Sequence, residues 1–73
     1  MFLPEVPLKK IVIVQAVDGD RAFCRRIMEM GLVPGTPVRV VAIAPLGDPL
    51  TIELRSSRMS LRRKEAAQVR VRA

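Results

Sequence analysis

The chain has 73 residues, one cysteine, no histidine and a net charge of +6. A chain of this length forms one small domain, residues 1–73, and has no room for a cofactor domain beside a substrate domain. Without histidine, and with Cys24 as its lone thiol, it has no Ser-His-Asp triad, internal disulfide or cysteine-rich zinc site. We therefore expect a protein that is not an enzyme and has no catalytic residue, metal site or cofactor.

The first residues do not resemble a targeting segment. Residues 1–7 lack the basic start, the long apolar stretch and the small-residue cleavage site of a signal peptide, and we expect them to form an N-terminal tail. The longest apolar runs, at 11–14 and 40–45, are far below the roughly 18 residues that a membrane-spanning helix needs. These features predict a cytoplasmic protein that does not insert into a membrane.

A strand and a helix are predicted in the first part of the chain. Residues 8–17 have the composition of a strand, and the unbroken apolar run 11–14 favours burial of both of its faces. Asp20 is placed to cap a helix over residues 21–30, because its carboxylate can accept the free amide hydrogens of the first helical turn.

The predicted helix is amphipathic. Phe23, Ile27 and Met30 recur at i, i+4 and i+7, which places them in one apolar stripe. Gly31 follows directly, as expected of a residue that takes the left-handed conformation after a helix end. The core-facing side of the helix is therefore predicted to extend from Phe23 to Met30.

Two strands joined by a short loop are predicted next. A Pro-Gly turn at 32–35 precedes a strand at 37–44, whose change of parity at residues 40–41 indicates a bulge. The loop 45–49 closes a hairpin onto a strand at 50–55, in which apolar and polar residues alternate.

The C-terminal part adds two short strands. Ser56 and Ser57 turn the chain into a strand at 58–61, at most one helical turn lies at 62–67, and residues 68–72 form the last strand. Five strands in so few residues favour a mainly β fold, a small barrel, because curling removes exposed edges and gives all strands one core. An open sheet capped by the helix is the structural alternative.

The positive charge is unevenly distributed along the chain. Residues 1–54 hold six basic and six acidic side chains, whereas residues 55–73 hold seven basic side chains and one acidic one. The C-terminal part could therefore bind nucleic acid or an acidic partner, or could form a solvated basic face. Phe2 and Phe23 are the only aromatic residues, which disfavours nucleic acid because barrels that bind single strands use aromatic stacking platforms.

Three motifs resemble those of one bacterial family. Residues 25–35, RRIMEMGLVPG, resemble the RRLLEMGLIPG signature of the FeoA family. Residues 44–49, APLGDP, resemble its APLGDP loop, and residues 61–66, LRRKEA, resemble its LRREEA segment. The motifs occur in the order and spacing of the family and span about residues 8–71.

The resemblance implies a fold and a function. The fold is a small five-stranded SH3-like barrel, with one α-helix between the first two strands and a short helical turn before the last. The function is a cytoplasmic, non-enzymatic accessory role in ferrous-iron uptake, with the cytoplasmic part of the FeoB membrane transporter as the partner. A nucleic-acid-binding barrel that uses the basic C-terminal face is the alternative, and a homo-oligomeric scaffold is a third reading.

The motifs also imply roles for individual residues. The candidates for partner binding are Leu46, Gly47, Asp48, Arg62 and Met30. Leu46 is an apolar residue at a loop tip, and Arg62 carries a forked donor suited to a carboxylate, although an internal pair with Asp48 would also explain it. The residues expected to serve the fold are Gly31, Leu32, Pro34, Gly35, Pro45, Pro49, Leu61 and Ala66.

The chain departs from the family pattern at two places. Ser56 and Ser57 stand where the family often has a glycine followed by an aromatic residue. The glycine that is common near the start of the first strand is also missing, with Leu8, Lys9 and Lys10 in its place. The first departure concerns both the geometry of that turn and an aromatic contact made there in the family.

Overall fold

A computed structural model describes residues 1–73 as one antiparallel sheet of five strands with two α-helices. The strands are β1 (Val12–Val17), β2 (Pro37–Ile43), β3 (Leu50–Leu54), β4 (Ser57–Leu61) and β5 (Val69–Arg72). The helices are α1 (Arg21–Glu29), α2 (Arg63–Ala66) and a short 3-10 helix at Leu3–Glu5. The strand order in the sheet is β4-β3-β2-β1-β5, which confirms the predicted number of strands and the two helical positions.

One core serves the whole molecule. Inward-facing side chains of all five strands join those of the helices in a single cluster of 16 buried residues. In β3, Leu50, Ile52 and Leu54 are buried while the residues between them are half-buried, which is the predicted alternation. Because every strand contributes to the same core, the sheet curls as a barrel and is not an open sheet capped by α1.

The predicted bulge in the second strand is confirmed. The register between β2 and β3 shifts between Val40 and Ala42, so Val41 is an extra residue in β2. The β1–β2 pairing is short, since only Val12 and Ile13 of β1 pair with β2. Backbone hydrogen bonds extend this contact on both sides, from the Lys9 amide to the Val40 carbonyl at 2.8 Å and from the Val14 amide to the Thr36 carbonyl at 3.0 Å.

The first strand is shorter than predicted. It begins at Val12, because Lys9 has a φ of +68° that breaks the extended chain. Burial of both faces is also wrong, since Ile11 is exposed and Ile13 is half-buried. Of the apolar run 11–14, only Val12 and Val14 reach the core.

The expected N-terminal tail is wrong. Leu3 and Val6 are buried in the core, and the Met1 carbonyl accepts a hydrogen bond of 2.8 Å from the Val71 amide. Phe2 forms a β-bridge with Arg70, so the N-terminal residues lie along the outer edge of β5. A small domain has few apolar residues to spare, and here the first residues complete both its core and its sheet edge.

The helix α1 begins at the predicted residue, but its buried apolar stripe ends before Met30. The Asp20 carboxylate accepts a hydrogen bond of 2.8 Å from the Phe23 amide, which confirms the N-cap. Ile27 is fully buried and Phe23 packs against the core, but Met30 is 44% exposed. No helix of the chain combines the length and the apolar character needed to cross a membrane.

Candidate partner-binding site

The loop between β2 and β3 has a fixed conformation. The Ala44 amide donates to the Pro49 carbonyl at 3.1 Å, and the Gly47 amide donates to the Ala44 carbonyl at 2.7 Å. Gly47 has a φ of +86°, a conformation that favours glycine. These bonds close the loop and leave Leu46 at its tip, where the residue is 96% exposed.

The first residue of α2 anchors this loop. The Arg63 amide donates to Asp48 Oδ1 at 2.9 Å, and Arg63 Nε donates to the Gly47 carbonyl at 2.8 Å. A free amide at a helix N-terminus needs an acceptor, and Asp48 supplies it. We call the resulting patch, formed by Leu46, Gly47, Asp48, Arg62 and Arg63, the loop–α2 surface.

Arg62 contributes little to the fold through its guanidinium. Its Nη1 lies 4.0 Å from Asp48 Oδ1, and the side chains of both residues are largely exposed. An exposed pair at that distance adds little stability. The internal pair considered from the sequence therefore exists at the limit of an ion pair, and the Arg62 side chain, 67% exposed, is left accessible to a partner.

A second contact ties α2 to α1. Glu65 Oε2 lies 3.0 Å from Arg26 Nη2, and Glu65 Oε1 accepts a hydrogen bond of 3.0 Å from the Arg62 amide. One carboxylate thus caps α2 and links it to α1. The loop–α2 surface is held from two sides, by β2–β3 through Arg63 and by α1 through Glu65.

Met30 stands apart from the other candidates. It follows the end of α1, and its amide donates to the carbonyls of Arg26 and Ile27 within that helix. None of its hydrogen bonds joins it to the loop–α2 surface. The structure thus brings four of the five candidates together and leaves Met30 as a separate exposed side chain.

The residues assigned to the fold occupy structural positions. Leu32, Leu61 and Ala66 are almost completely buried. The φ values of Gly31 and Gly35, +110° and +94°, lie in the region that favours glycine. The three prolines of the motifs lie in the loops, where Pro34 and Pro45 are exposed and Pro49 is half-buried.

Arg63 is the residue of this surface that the motif resemblance did not select. Arg62 was the arginine selected, yet Arg63 makes both hydrogen bonds to the loop. The signal lay in the position of Arg63 at the start of a helical turn, where an unpaired amide requires an acceptor from elsewhere in the chain. The acceptor that this amide finds is Asp48, which lies 15 residues away.

The basic C-terminal part does not form one unpaired face. Arg70 Nη2 lies 3.0 Å from Asp18 Oδ2, and Arg58 Nη2 lies 3.3 Å from Glu53 Oε2. The fold thus brings carboxylates of the neutral first part to arginines of the basic last part. No group of three or more cysteine, aspartate and glutamate side chains is arranged to hold a metal ion.

The fold and this surface define a small SH3-like barrel that presents a fixed loop. Residues 1–73 match the family profile of the FeoA domain over their whole length. The chain belongs to the FeoA family, whose members are non-enzymatic accessory domains of ferrous-iron transport.

Three relatives illustrate the similarity. The FeoA protein of Stenotrophomonas maltophilia, an SH3 domain protein crystallised with zinc, is 39% identical, with a TM-score of 0.83 over 97% of this chain and 88% of that one. The Chlorobium tepidum FeoA protein is 35% identical, with a TM-score of 0.90 over 99% of this chain and 69% of that one.

The third relative is much longer. It is an Fe(2+) transport protein A/Fe(2+) transporter FeoB fusion protein of Porphyromonas gingivalis, 38% identical over 71 residues, or 97% of this chain. This chain spans only 8% of the length of that protein. The matched segment is therefore one small domain of a polypeptide named for both components.

Proposed function

We propose that this protein is a cytoplasmic accessory protein that binds the cytoplasmic part of a FeoB-type ferrous-iron transporter and modulates transport. The observation that carries the proposal is the relative in which a domain 38% identical to this chain belongs to the same polypeptide as a FeoB transporter. Covalent linkage keeps two domains at a high effective concentration, which favours even a weak contact between them. A separate chain with the same fold would make that contact as a free partner.

The loop–α2 surface has the properties that such a contact needs. Leu46 is almost fully exposed to water, so its burial against a partner removes apolar surface from solvent. Two hydrogen bonds from Arg63 already hold the loop, so little conformational freedom is lost on binding. Arg62 supplies a forked donor beside the apolar tip, suited to a carboxylate of the partner.

Co-purification of the transporter with this protein tests the proposal. A FeoB-type transporter from detergent-solubilised membranes is passed over the immobilised wild-type chain and over Leu46→Asp, Arg62→Glu and Met30→Asp variants. We expect the first two changes to lower capture about 10-fold or more, as for central interface residues. The third change shows whether Met30 belongs to the same interface.

Matched controls separate the interface from general effects. Leu8→Asp and Arg21→Glu alter exposed residues of the same types outside the loop–α2 surface and should leave capture unchanged. Thermal unfolding first shows that each variant is folded. Failure of the wild-type chain to retain the transporter, when a related FeoA protein retains it, would contradict the function. Equal capture by all variants would place the interface elsewhere.

A further inference from the structure

A row of three charged residues crosses the outer face of the sheet. Arg39 of β2 pairs in register with Glu53 of β3, and Glu53 pairs in register with Arg58 of β4. Arg39 Nε lies 2.6 Å from Glu53 Oε1, while Arg58 Nη2 lies 3.3 Å from Glu53 Oε2. Because neighbouring strands lie about 4.8 Å apart, the backbones of the two arginines stand about 10 Å apart, with the carboxylate between them.

Two adjoining hollows lie along this row. They have volumes of about 310 and 490 Å³ and share Arg39 as a lining residue. Arg55 lines the first hollow, and Lys9 and Arg58 line the second. We call this region, formed by Lys9, Arg39, Arg55 and Arg58 around Glu53, the basic groove. It carries four positive charges against one negative charge.

Glu53 holds the side chains of Arg39 and Arg58 in position, and its single negative charge leaves the groove positively charged. Its hydrogen bond from Arg39, together with the positive charges of Arg39 and Arg58, holds the pKa of Glu53 below its ordinary value. The ionised carboxylate fixes one edge of each guanidinium. The terminal nitrogens of Arg39 and Nη1 of Arg58 have no partner in the fold and remain able to bind an anion.

The groove adjoins the open edge of the sheet. No strand lies beyond β4, whereas the corresponding edge of β5 is bonded to Met1 and bridged to Phe2. After the two-residue turn that joins β3 to β4, the alternation of the ladder directs the backbone groups of Arg58 and Ser60 away from β3. Neither residue makes a backbone hydrogen bond outside the sheet. The edge therefore offers unpaired donors and acceptors beside the Arg58 guanidinium.

We propose that the basic groove binds an acidic peptide segment in extended conformation, which lies across the outer face of β4, β3 and β2. Alternate side chains of such a segment point to one face about 7 Å apart, so its carboxylates would reach Arg58 and then Arg39. The side chains of Ile11 and Val41 at the walls of the hollows provide apolar contacts for the residues near them.

The charges of the groove select this occupant over two others. A second copy of this chain would bring the same positive charge to the groove, and the like charges would repel one another. A nucleic acid would find no aromatic side chain in the lining for its bases to stack on. The proposal is independent of the proposed function, because the groove contains no residue of the loop–α2 surface.

Binding of a synthetic peptide tests the proposal. The probe is a labelled peptide of alternating glutamate and valine, and the readout is fluorescence polarisation at low ionic strength. We expect saturable binding to the wild-type chain that weakens about 10-fold or more in the Arg39→Gln/Arg58→Gln variant. The matched control, Arg21→Gln/Arg25→Gln, removes the same charge from α1 and should change affinity less than about 2-fold.

A second variant and further measurements complete the test. Lys9→Gln/Arg55→Gln removes groove charge without breaking an ion pair and should also weaken binding, even if the first variant folds poorly. The largest amide chemical-shift changes on binding should occur in β2 and β4, at and next to Arg39 and Arg58, and not in α1. Absent binding, or equal weakening by the α1 control, would overturn the proposal. So would tighter binding of anionic lipid vesicles or of an oligonucleotide of equal charge.

Discussion

Several backbone positions have positive φ values, which glycine adopts more easily than other residues. Besides the four glycines, Lys9 and Arg55 have positive φ values, +68° and +53°. These two residues lie at or next to the places where the chain lacks the glycines common in its family. A side chain in this conformation costs about 1 kcal/mol or more, so the fold tolerates two strained turns that glycine would relax.

Gly31 has a steric requirement in addition to its φ value. A Cβ atom at this position would lie 2.8 Å from Leu54 Cδ1, whereas a Cβ at Gly35 would meet no atom within 4 Å. Both residues have positive φ values. We expect Gly31→Ala to lower the free energy of unfolding by about 2–3 kcal/mol and Gly35→Ala by about 1 kcal/mol.

Urea unfolding of the two glycine variants measures this difference. Gly35→Ala isolates the conformational cost, because both changes add one Cβ atom at a residue with positive φ, and only the Cβ at position 31 meets a neighbouring atom. The excess cost at Gly31 then reports the close approach of Leu54. Equal destabilisation by both changes would show that the Leu54 side chain moves aside freely.

Among the helices and strands, the sequence predicted those features that depend on adjacent residues. The Asp20 cap, the alternation of β3 and the bulge in β2 were all readable, because capping, strand periodicity and parity are properties of adjacent residues. The start of β1 was not readable, since its apolar run continues through Ile11 while the backbone turns at Lys9. Apolar composition alone does not show which side of a strand is covered.

Apart from the pair of Arg62 and Asp48, contacts between distant segments escaped prediction in the fold and in the site alike. The motif resemblance identified Asp48 and Arg62, but the bonds that hold the loop come from Arg63, which lies 15 residues beyond Asp48. The row from Arg39 to Arg58 forms only when three strands align in register. Such pairings depend on tertiary structure, which a charge count along the chain cannot supply.

The N-terminal 3-10 helix, Leu3–Glu5, is part of the core and gives a direct test at this scale. Leu3 is fully buried, whereas Met1 is 49% exposed. We expect Leu3→Ala to lower the free energy of unfolding by about 2–4 kcal/mol, because it leaves a cavity where an apolar side chain was packed. Met1→Ala should change stability by less than about 0.5 kcal/mol.

Chemical denaturation of these two variants gives the measurement. The midpoint for Leu3→Ala should shift to lower urea with an unchanged slope, since the same surface is exposed on unfolding. If Leu3→Ala were as stable as Met1→Ala, the first residues would be the tail that the sequence suggested, and the core would be complete without them.

Across the whole molecule, carboxylates offset part of the positive charge by pairing with arginines. The chain has seven acidic and 13 basic side chains, and its net charge is +6. Asp18, Asp48, Glu53 and Glu65 each lie in an ion pair with an arginine. Acid adds further positive charge to a chain that is already basic, and like charges in a compact molecule repel one another. The molecule is therefore expected to lose stability in acid.

Glu53 should account for a distinct part of this acid sensitivity. The hydrogen bond from Arg39 holds its pKa in the folded protein below the ordinary value of 4.5, so the unfolded chain takes up the proton first as the pH falls. The stability that this carboxylate contributes is therefore present above pH 4.5 and is lost as the pH falls through the lower folded pKa. Glu53→Gln removes that component. We expect the variant to be less stable than the wild type at pH 7, with a shallower decline of unfolding free energy below pH 4.5.

Urea titrations from pH 7 to pH 3 measure the decline, with Glu29→Gln as the matched control. Glu29 makes no hydrogen bond or ion pair through its side chain, so its replacement removes one carboxylate without disturbing a contact. The control should retain the acid slope of the wild type. A Glu53→Gln slope as steep as that of Glu29→Gln would mean that general repulsion among the arginines and lysines, and not the row on the outer face of the sheet, governs unfolding in acid.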